Sequence, residues 1–317
     1  MKAPLEQRDA AGWSAGAPDS ALSRPLAADS IRVRFSDFIE LAKLRISSLV
    51  LVVTAIGFCL ASPGPIDLVL LFHTLVGTAL TAAAANTINQ LIERAYDRLM
   101  PRTMDRPIAA GRVSPQEAFI FGGICLVFGL LILALLVNPL ATALAAATFG
   151  LYIFVYTPLK RKTVHNTLIG AVPGALPPMI GYAGASGELG PWAWALFGIL
   201  FVWQLPHFFA IAWMYREDYR LGGYKMLSVV DPTGARTRRQ TVAYTCVLIL
   251  ASLVPGILGL IGASGMTGAA AAGAALLWFA MGMSRRLSFE SARLMLLASV
   301  IYLPILLILF FVDRVGV

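Results

Sequence analysis

The stretch Asn89-Gln90-Leu91-Ile92-Glu93-Arg94-Ala95-Tyr96-Asp97-Arg98-Leu99-Met100-Pro101-Arg102-Thr103-Met104-Asp105-Arg106-Pro107 follows directly on an apolar run, residues 68–90. That run is long enough to cross a bilayer as a helix. Asn89, Glu93 and Asp97 are spaced four residues apart, so on a helix each sits about 40° further round than the last and the three form one oxygen-rich stripe. Like charges at this spacing repel mildly, and carboxylates at a membrane boundary are costly unless something neutralises them. A hard divalent cation does so, and Mg²⁺ in particular takes carboxylate oxygens while sharing its remaining positions with phosphate. The arginines that follow the stripe suit the phosphate itself. The pattern therefore points to a membrane enzyme acting on a diphosphate.

Working outward, the rest of the chain has the composition of a polytopic helical membrane protein. Hydrophobic residues make up 58% of the 317 and charged residues 13%, with a mean hydropathy of +0.76, far beyond what a soluble domain needs. Nine apolar runs approach the length of a spanning helix: 41–61, 68–90, 116–137, 139–158, 165–185, 191–214, 240–262, 266–284 and 292–312. The expected fold is all-α, with nine transmembrane helices around a central cavity.

The net charge of +8 would suit a nucleic-acid binder, but its distribution excludes one. Nine spans put 24 of the 25 lysines and arginines on the side of the N-terminus, leaving Arg314 on the other. The positive-inside rule then places the N-terminus in the cytoplasm, and the near-complete split supports the span count. Most of these cations are explained by topology alone. Residues 1–35 read as a disordered cytoplasmic tail, rich in Ala, Ser and Pro and without an apolar h-region; the membrane domain is 36–317. The acids Glu6, Asp9, Asp19 and Asp29 argue against an organelle transit peptide, so the inner (cytoplasmic) membrane of a bacterium is the expected location. Cys59, Cys125 and Cys246 lie in spans without metal or disulfide spacing and read as small buried side chains. The pair Gly122-Gly123 reads as helix packing.

The second long loop on the cytoplasmic side, 215–239, also begins with acids, Glu217 and Asp218, and continues through Gly222-Gly223 to Lys225. Alone it would pass as a solvated loop with glycine turns; beside the first, it places two acidic helix ends on one membrane face. His207 lies within the sixth span, about 16 Å along a regular helix from Asp218. An ionisable residue at that depth is a functional candidate, although a histidine bonded across helices would look the same in sequence. Pro173, Pro177 and Pro178 predict that the fifth span is not one straight helix.

Asn89, Glu93, Asp97, Met100, Arg102-Thr103, Arg106 and Gly111 together resemble the signature of the intramembrane aromatic prenyltransferase superfamily, and nine spans over residues 36–315 agree with it. Within it, Tyr156–Arg161, Asn166, Gly170, Pro173–Ala175, Trp203–Phe208, Glu217–Tyr219 and Gly222–Leu227 are similar to the branch that farnesylates haem. Two positions depart from the pattern: Lys43-Leu44-Arg45 stands where Lys-Pro-Arg is usual, and Gly222 occupies the place of a second aspartate of the wider superfamily. The resemblance implies farnesyl diphosphate and haem B as substrates and Mg²⁺ as cofactor, with haem A synthase or oxidase-assembly proteins as neighbours. It implies a metal site of Asn89, Glu93, Asp97, Glu217 and Asp218, with catalysis resting on the stripe and Asp218. Arg102, Arg106 and Lys225, helped by Arg45, Lys160 and Arg161, would hold the diphosphate, and His207 would meet the haem. Aromatic faces at Tyr152, Tyr156, Phe208 or Trp213 would stabilise an allylic cation. A quinone precursor or chlorophyll-like acceptor, a transporter, and an oxidase assembly factor remain as alternative readings.

Overall fold

The computed structural model describes residues 27–62 and 64–315, with the side chains of 27–33 and 44–46 outside the described set. Most of the stretch read as a tail, 1–26, therefore lies outside it, as does the side chain of Arg45; α1 begins at Ala27 and runs to Ala42. Among the described residues, eight helices are long and apolar enough to span a membrane, and a bent pair, Arg34–Ala42 with Ser47–Ala61, makes a ninth when counted as one span. The expected all-helical, nine-span architecture is thus observed, with its first span broken by 50° at Lys43.

The spanning elements are α2 (Leu44–Ala61), α3 (Leu68–Asp97), α4 (Pro115–Leu136) and α5 (Pro139–Gly150), the last continuing through a π-helical stretch Leu151–Tyr156 into α6 (Thr157–Leu159). The fifth span is two helices, α7 (Asn166–Ala175) and α8 (Pro177–Ser186), divided at Leu176 as its prolines predict. Then come α9 (Pro191–Met214), two short loop helices α10 (Arg216–Leu221) and α11 (Leu227–Val230), and α12 (Ala235–Ile257), α13 (Ala263–Arg285) and α14 (Phe289–Val312). The seventh span starts five residues earlier than hydropathy suggests, because Gly234 turns the chain into the helix in the left-handed region and the polar residues 235–239 join its first turns.

Start signals are explicit. Ser114 forms a capping box with Glu117, and Pro115 follows at the first helical position. Asn138 caps α5 through Ala141 N, and its amide also reaches Ala183 O at 2.7 Å, tying the α4–α5 turn to α8. Inside the spans, buried hydroxyls bond back one turn: Thr74, Thr78 and Thr81 donate to the carbonyls four residues earlier. This satisfies polar groups where no water is available.

Helix α2 crosses α8 at backbone contact. A Cβ on Gly181 would lie 1.8 Å from Thr54 O, and one on Gly57 would lie 2.1 Å from Pro178 O, so only glycine permits this approach. Gly122 likewise packs, against Ile88, whereas Gly123 meets nothing. The largest apolar core joins α9, α12, α13 and α14 around Trp203, Tyr302 and Phe310. Helix α3 carries a buried polar face at its C-terminal end, where the candidate functional residues gather.

Candidate active site

Helix α3 runs unbroken through 30 residues to Asp97, so the apolar span and the acidic stripe are one element. Asn89, Glu93 and Asp97 are 1%, 5% and 1% exposed. All three line a cavity of about 220 Å³, closed by Tyr152 and Tyr156 from the fourth span, Phe208 from α9, and Tyr219 and Tyr224 beyond it.

Burying two carboxylates side by side requires cations, and the chain supplies one for each. Arg106 Nη1 lies 2.8 Å and 2.9 Å from the two oxygens of Asp97. Lys160 Nζ lies 2.9 Å from Glu93. Burial works against the Lys160 charge, but Glu93 together with Tyr156, Tyr152 and Tyr224 outweighs it and holds the ammonium well above the ordinary lysine value of 10.5. The Asn89 amide donates to Thr157 Oγ1 at 3.1 Å, and that hydroxyl donates to Tyr152 O at 2.8 Å, across the π-helical stretch.

The loop after α3 folds back to deliver Arg106. Thr103 donates its hydroxyl to Asp97 O at 2.9 Å, Arg98 Nε reaches Ala109 O at 2.8 Å, and Gly111 turns with φ +79°. Arg112 fastens this loop to α1 through Asp37 at 2.7 Å and Glu40 at 3.0 Å. Arg102 lines the cavity and lies over the rings of Tyr215, 4.7 Å, and Tyr219, 5.7 Å.

The second acidic end is built differently. Glu217 faces outward, two-thirds exposed, and is paired with Arg220 at 2.7 Å; this bond holds its carboxyl below the usual range. Asp218 accepts a long hydrogen bond from Arg102 N, 3.4 Å, and so touches the first loop. Lys225 is exposed, and its backbone bridges Lys160 O and the Asn166 side chain. Arg161 lies over Tyr96 at 3.8 Å. Neither side chain lines the cavity. Trp213 is covered by Arg216 at 4.5 Å, also away from it.

Lys43 is the residue that sequence reasoning missed. It sits at the break between α1 and α2 with φ +50°, the one non-glycine residue with positive φ among those described, and it lines the cavity. A strained backbone beside a polar cavity is a common mark of function. The departure from Lys-Pro-Arg at 43–45 was its only trace in the sequence.

His207 turns toward α14. Its Nδ1 is 2.8 Å from Ser299 Oγ, and its ring stacks on Trp203 at 4.9 Å. Trp203 Nε1 donates to Ser299 O at 2.8 Å. His207 adjoins Phe208 in sequence but does not itself line the cavity.

Among the described residues, no three acidic, histidine or cysteine groups stand together as a ready metal cage. The donor set nonetheless suits a hard cation shared with phosphate, which needs only one or two carboxylates with substrate oxygens completing the shell. Glu93 and Asp97 provide those, each at present held by a cation of the protein.

Known proteins resemble the chain over most of its length. The family model described as "UbiA prenyltransferase family" matches residues 50–311. A protein of Solibacter usitatus named protoheme IX farnesyltransferase is 43% identical over 88% of this chain and 99% of its own length. The mitochondrial protoheme IX farnesyltransferase of Homo sapiens is 40% identical over 85% of this chain and 60% of its own. Among solved structures, one titled for digeranylgeranylglyceryl phosphate synthase superposes with a TM-score of 0.73 at 18% identity, covering 88% of this chain and 98% of that one. A UbiA homolog from Archaeoglobus fulgidus bound to GPP and Mg²⁺ superposes with 0.61 at 15% identity, covering 86% and 99%. These likenesses establish the shared fold, and the sequence matches establish more: the chain belongs to the UbiA prenyltransferase family and is a prenyltransferase.

Proposed function

We propose that the chain transfers the farnesyl group of farnesyl diphosphate, with addition of water, to a vinyl group of haem B, giving haem O. The observation that carries this reading is one buried cavity that joins two carboxylates, four cations and an aromatic wall, in a chain whose relatives of nearly the same length are named protoheme IX farnesyltransferase. Asn89, Glu93 and Asp97 would hold Mg²⁺, with Asp218 the nearest acid of the second loop; when bound, the metal neutralises charge on the diphosphate. Glu217 is the weakest of the proposed ligands, being committed to Arg220.

Arg106, Lys160, Lys43 and Arg102 supply charge-assisted hydrogen bonds to the diphosphate oxygens. Lys225 and Arg161, which do not line the cavity, are assigned to the approach of the anion, which basic side chains steer, and Arg45 keeps the helping role that the resemblance implies. The C–O bond of the donor breaks with its electron pair leaving on the diphosphate. The π pair of the haem vinyl group forms the new C–C bond, water captures the resulting cation, and one proton goes to solvent. Tyr152, Tyr156 and Phe208 present ring faces to the allylic cation and exclude water from it.

His207 is proposed to meet the haem. Ser299 donates its hydroxyl hydrogen to Leu296 O at 2.7 Å, so its oxygen accepts from His207 Nδ1–H, and Nε2 keeps the lone pair that an iron ligand needs. The charge asymmetry of the loops supports a cytoplasmic N-terminus and a cavity opening to the cytoplasmic side of a bacterial inner membrane, with the product passed toward haem A synthase or oxidase-assembly proteins.

The test is incubation of membranes holding the protein with haem B, Mg²⁺ and farnesyl diphosphate, followed by mass spectrometry of the extracted haems. A haem heavier by one farnesyl group plus water, lost on chelation, is expected. Consumption of the diphosphate with haem unmodified would move the acceptor to a quinone precursor or another macrocycle. An intact diphosphate with folded protein would overturn farnesyl diphosphate as the donor.

A further inference from the structure

Tyr224 is 4% exposed and lines the cavity, yet its hydroxyl has no hydrogen-bond partner. Buried hydroxyls are nearly always paired, and an orphan calls for a cause. The cause is visible in its neighbours. The hydroxyl is close enough to Glu93, Lys160, Asp97 and Arg106 to feel all four charges. Both carboxylates there are already committed, Glu93 to Lys160 and Asp97 to Arg106. A donor is thus held beside two ion pairs without bonding to either.

The backbone is specialised to keep it there. A Cβ on Gly222 would lie 2.8 Å from the Tyr224 ring and 2.9 Å from Met100 Sδ, and Gly223 turns with φ +70°. Tyr224 N is bonded to Tyr219 O at 2.9 Å, and the two rings meet edge to face at 5.9 Å. Burial raises the phenol above the ordinary tyrosine value, so the group stays protonated and acts as a donor. What such a group lacks is an acceptor. An apolar tail would leave it unsatisfied, and a cation brings none; an oxygen-rich anion brings several.

We propose that the Tyr224 hydroxyl donates a hydrogen bond to an oxygen of the bound diphosphate, a donor that stays idle until substrate arrives. This rests on the reading of the cavity as a diphosphate site. It gives the Gly222-Gly223-Tyr224 turn a purpose that charge alone does not: the loop contributes a neutral donor whose strength does not compete with the two ion pairs.

The experiment uses the full chain and its Tyr224→Phe variant, which keeps the ring and removes one oxygen. Two quantities are read: the unfolding temperature without ligand, and the affinity for inorganic diphosphate with Mg²⁺ by calorimetry. Because the hydroxyl is unpartnered in the free protein, the variant is expected to be no less stable than the parent. Its affinity is expected to fall about tenfold to a hundredfold, the worth of a hydrogen bond to a charged group. A purely structural hydroxyl would give the reverse, lower stability with unchanged affinity, and would overturn the assignment. Unchanged affinity and stability would overturn it equally. If the parent binds no diphosphate, the reading of the cavity fails and this inference with it; if the parent binds and the variant binds equally well, only the Tyr224 assignment fails.

Discussion

Two acidic helix ends face the same loops, and they are not alike. At the end of α3, Glu93 and Asp97 are almost fully buried, and each holds a cation drawn from a distant part of the chain or from the folded-back loop. At the start of α10, Glu217 lies in solvent and pairs with Arg220 three residues on, while Asp218 makes one long contact to Arg102 N. Exposed pairs of the second kind are worth little, because water screens them. Buried pairs of the first kind are strongly destabilising to break, because the abandoned partner keeps its desolvation cost. Charge at a helix end is therefore no guide to consequence; burial is.

The sharpest way to break this contrast is Asp97→Ala. With turnover followed as farnesylated haem, the loss should be about a thousandfold or more, and the residual activity should no longer respond to Mg²⁺. Next is Lys160→Met, which strands Glu93. Loss of about 3–5 kcal/mol is expected in equilibrium unfolding, and Glu93→Leu added to it should restore most of that. Because Glu93 holds Lys160 above the ordinary lysine value, its contribution is complete below that value and fades only as pH rises through the still higher native one. The stability gap between parent and Lys160→Met should thus be flat through neutral and mildly alkaline pH. Asp218→Asn, touching only a backbone amide, should cost turnover about tenfold to a hundredfold, less than Asp97→Ala. Glu217→Gln should leave both the unfolding midpoint and turnover near the parent's; a loss rivalling that of Asp97→Ala would erase the distinction between the two ends.

Much of this was legible in the sequence, for identifiable reasons. Apolar runs and the one-sided lysines and arginines are local or additive signals, and they specified the spans. The four-residue spacing of Asn89, Glu93 and Asp97 survives folding because a single helix carries all three. Partnership is not local. Arg106 was expected on phosphate, and its seat on Asp97 depends on how the 98–114 loop folds back. Lys160 was a secondary candidate, and only the packing of the fourth span against α3 makes it the counterion of Glu93. Lys43 depends on a backbone break whose left-handed residue is not a glycine. The aim of His207 is set by Ser299, 92 residues away.

The π-helical stretch Leu151–Tyr156 has a consequence for evolution by insertion and deletion. Such a stretch holds about one residue more than an α-helix of the same contacts, and one residue is about 100° of rotation. The extra residue is absorbed within the stretch, so Thr157 and Lys160 keep the bearing that a shorter, regular helix would give them. Loss of a single apolar residue between 151 and 156 would therefore relax the stretch to α-helix and leave Lys160 facing Glu93. The same loss in the regular helix before it would swing Lys160 about 100° away. The fourth span carries its slack in one place, and a change of length is tolerated there and nowhere nearby.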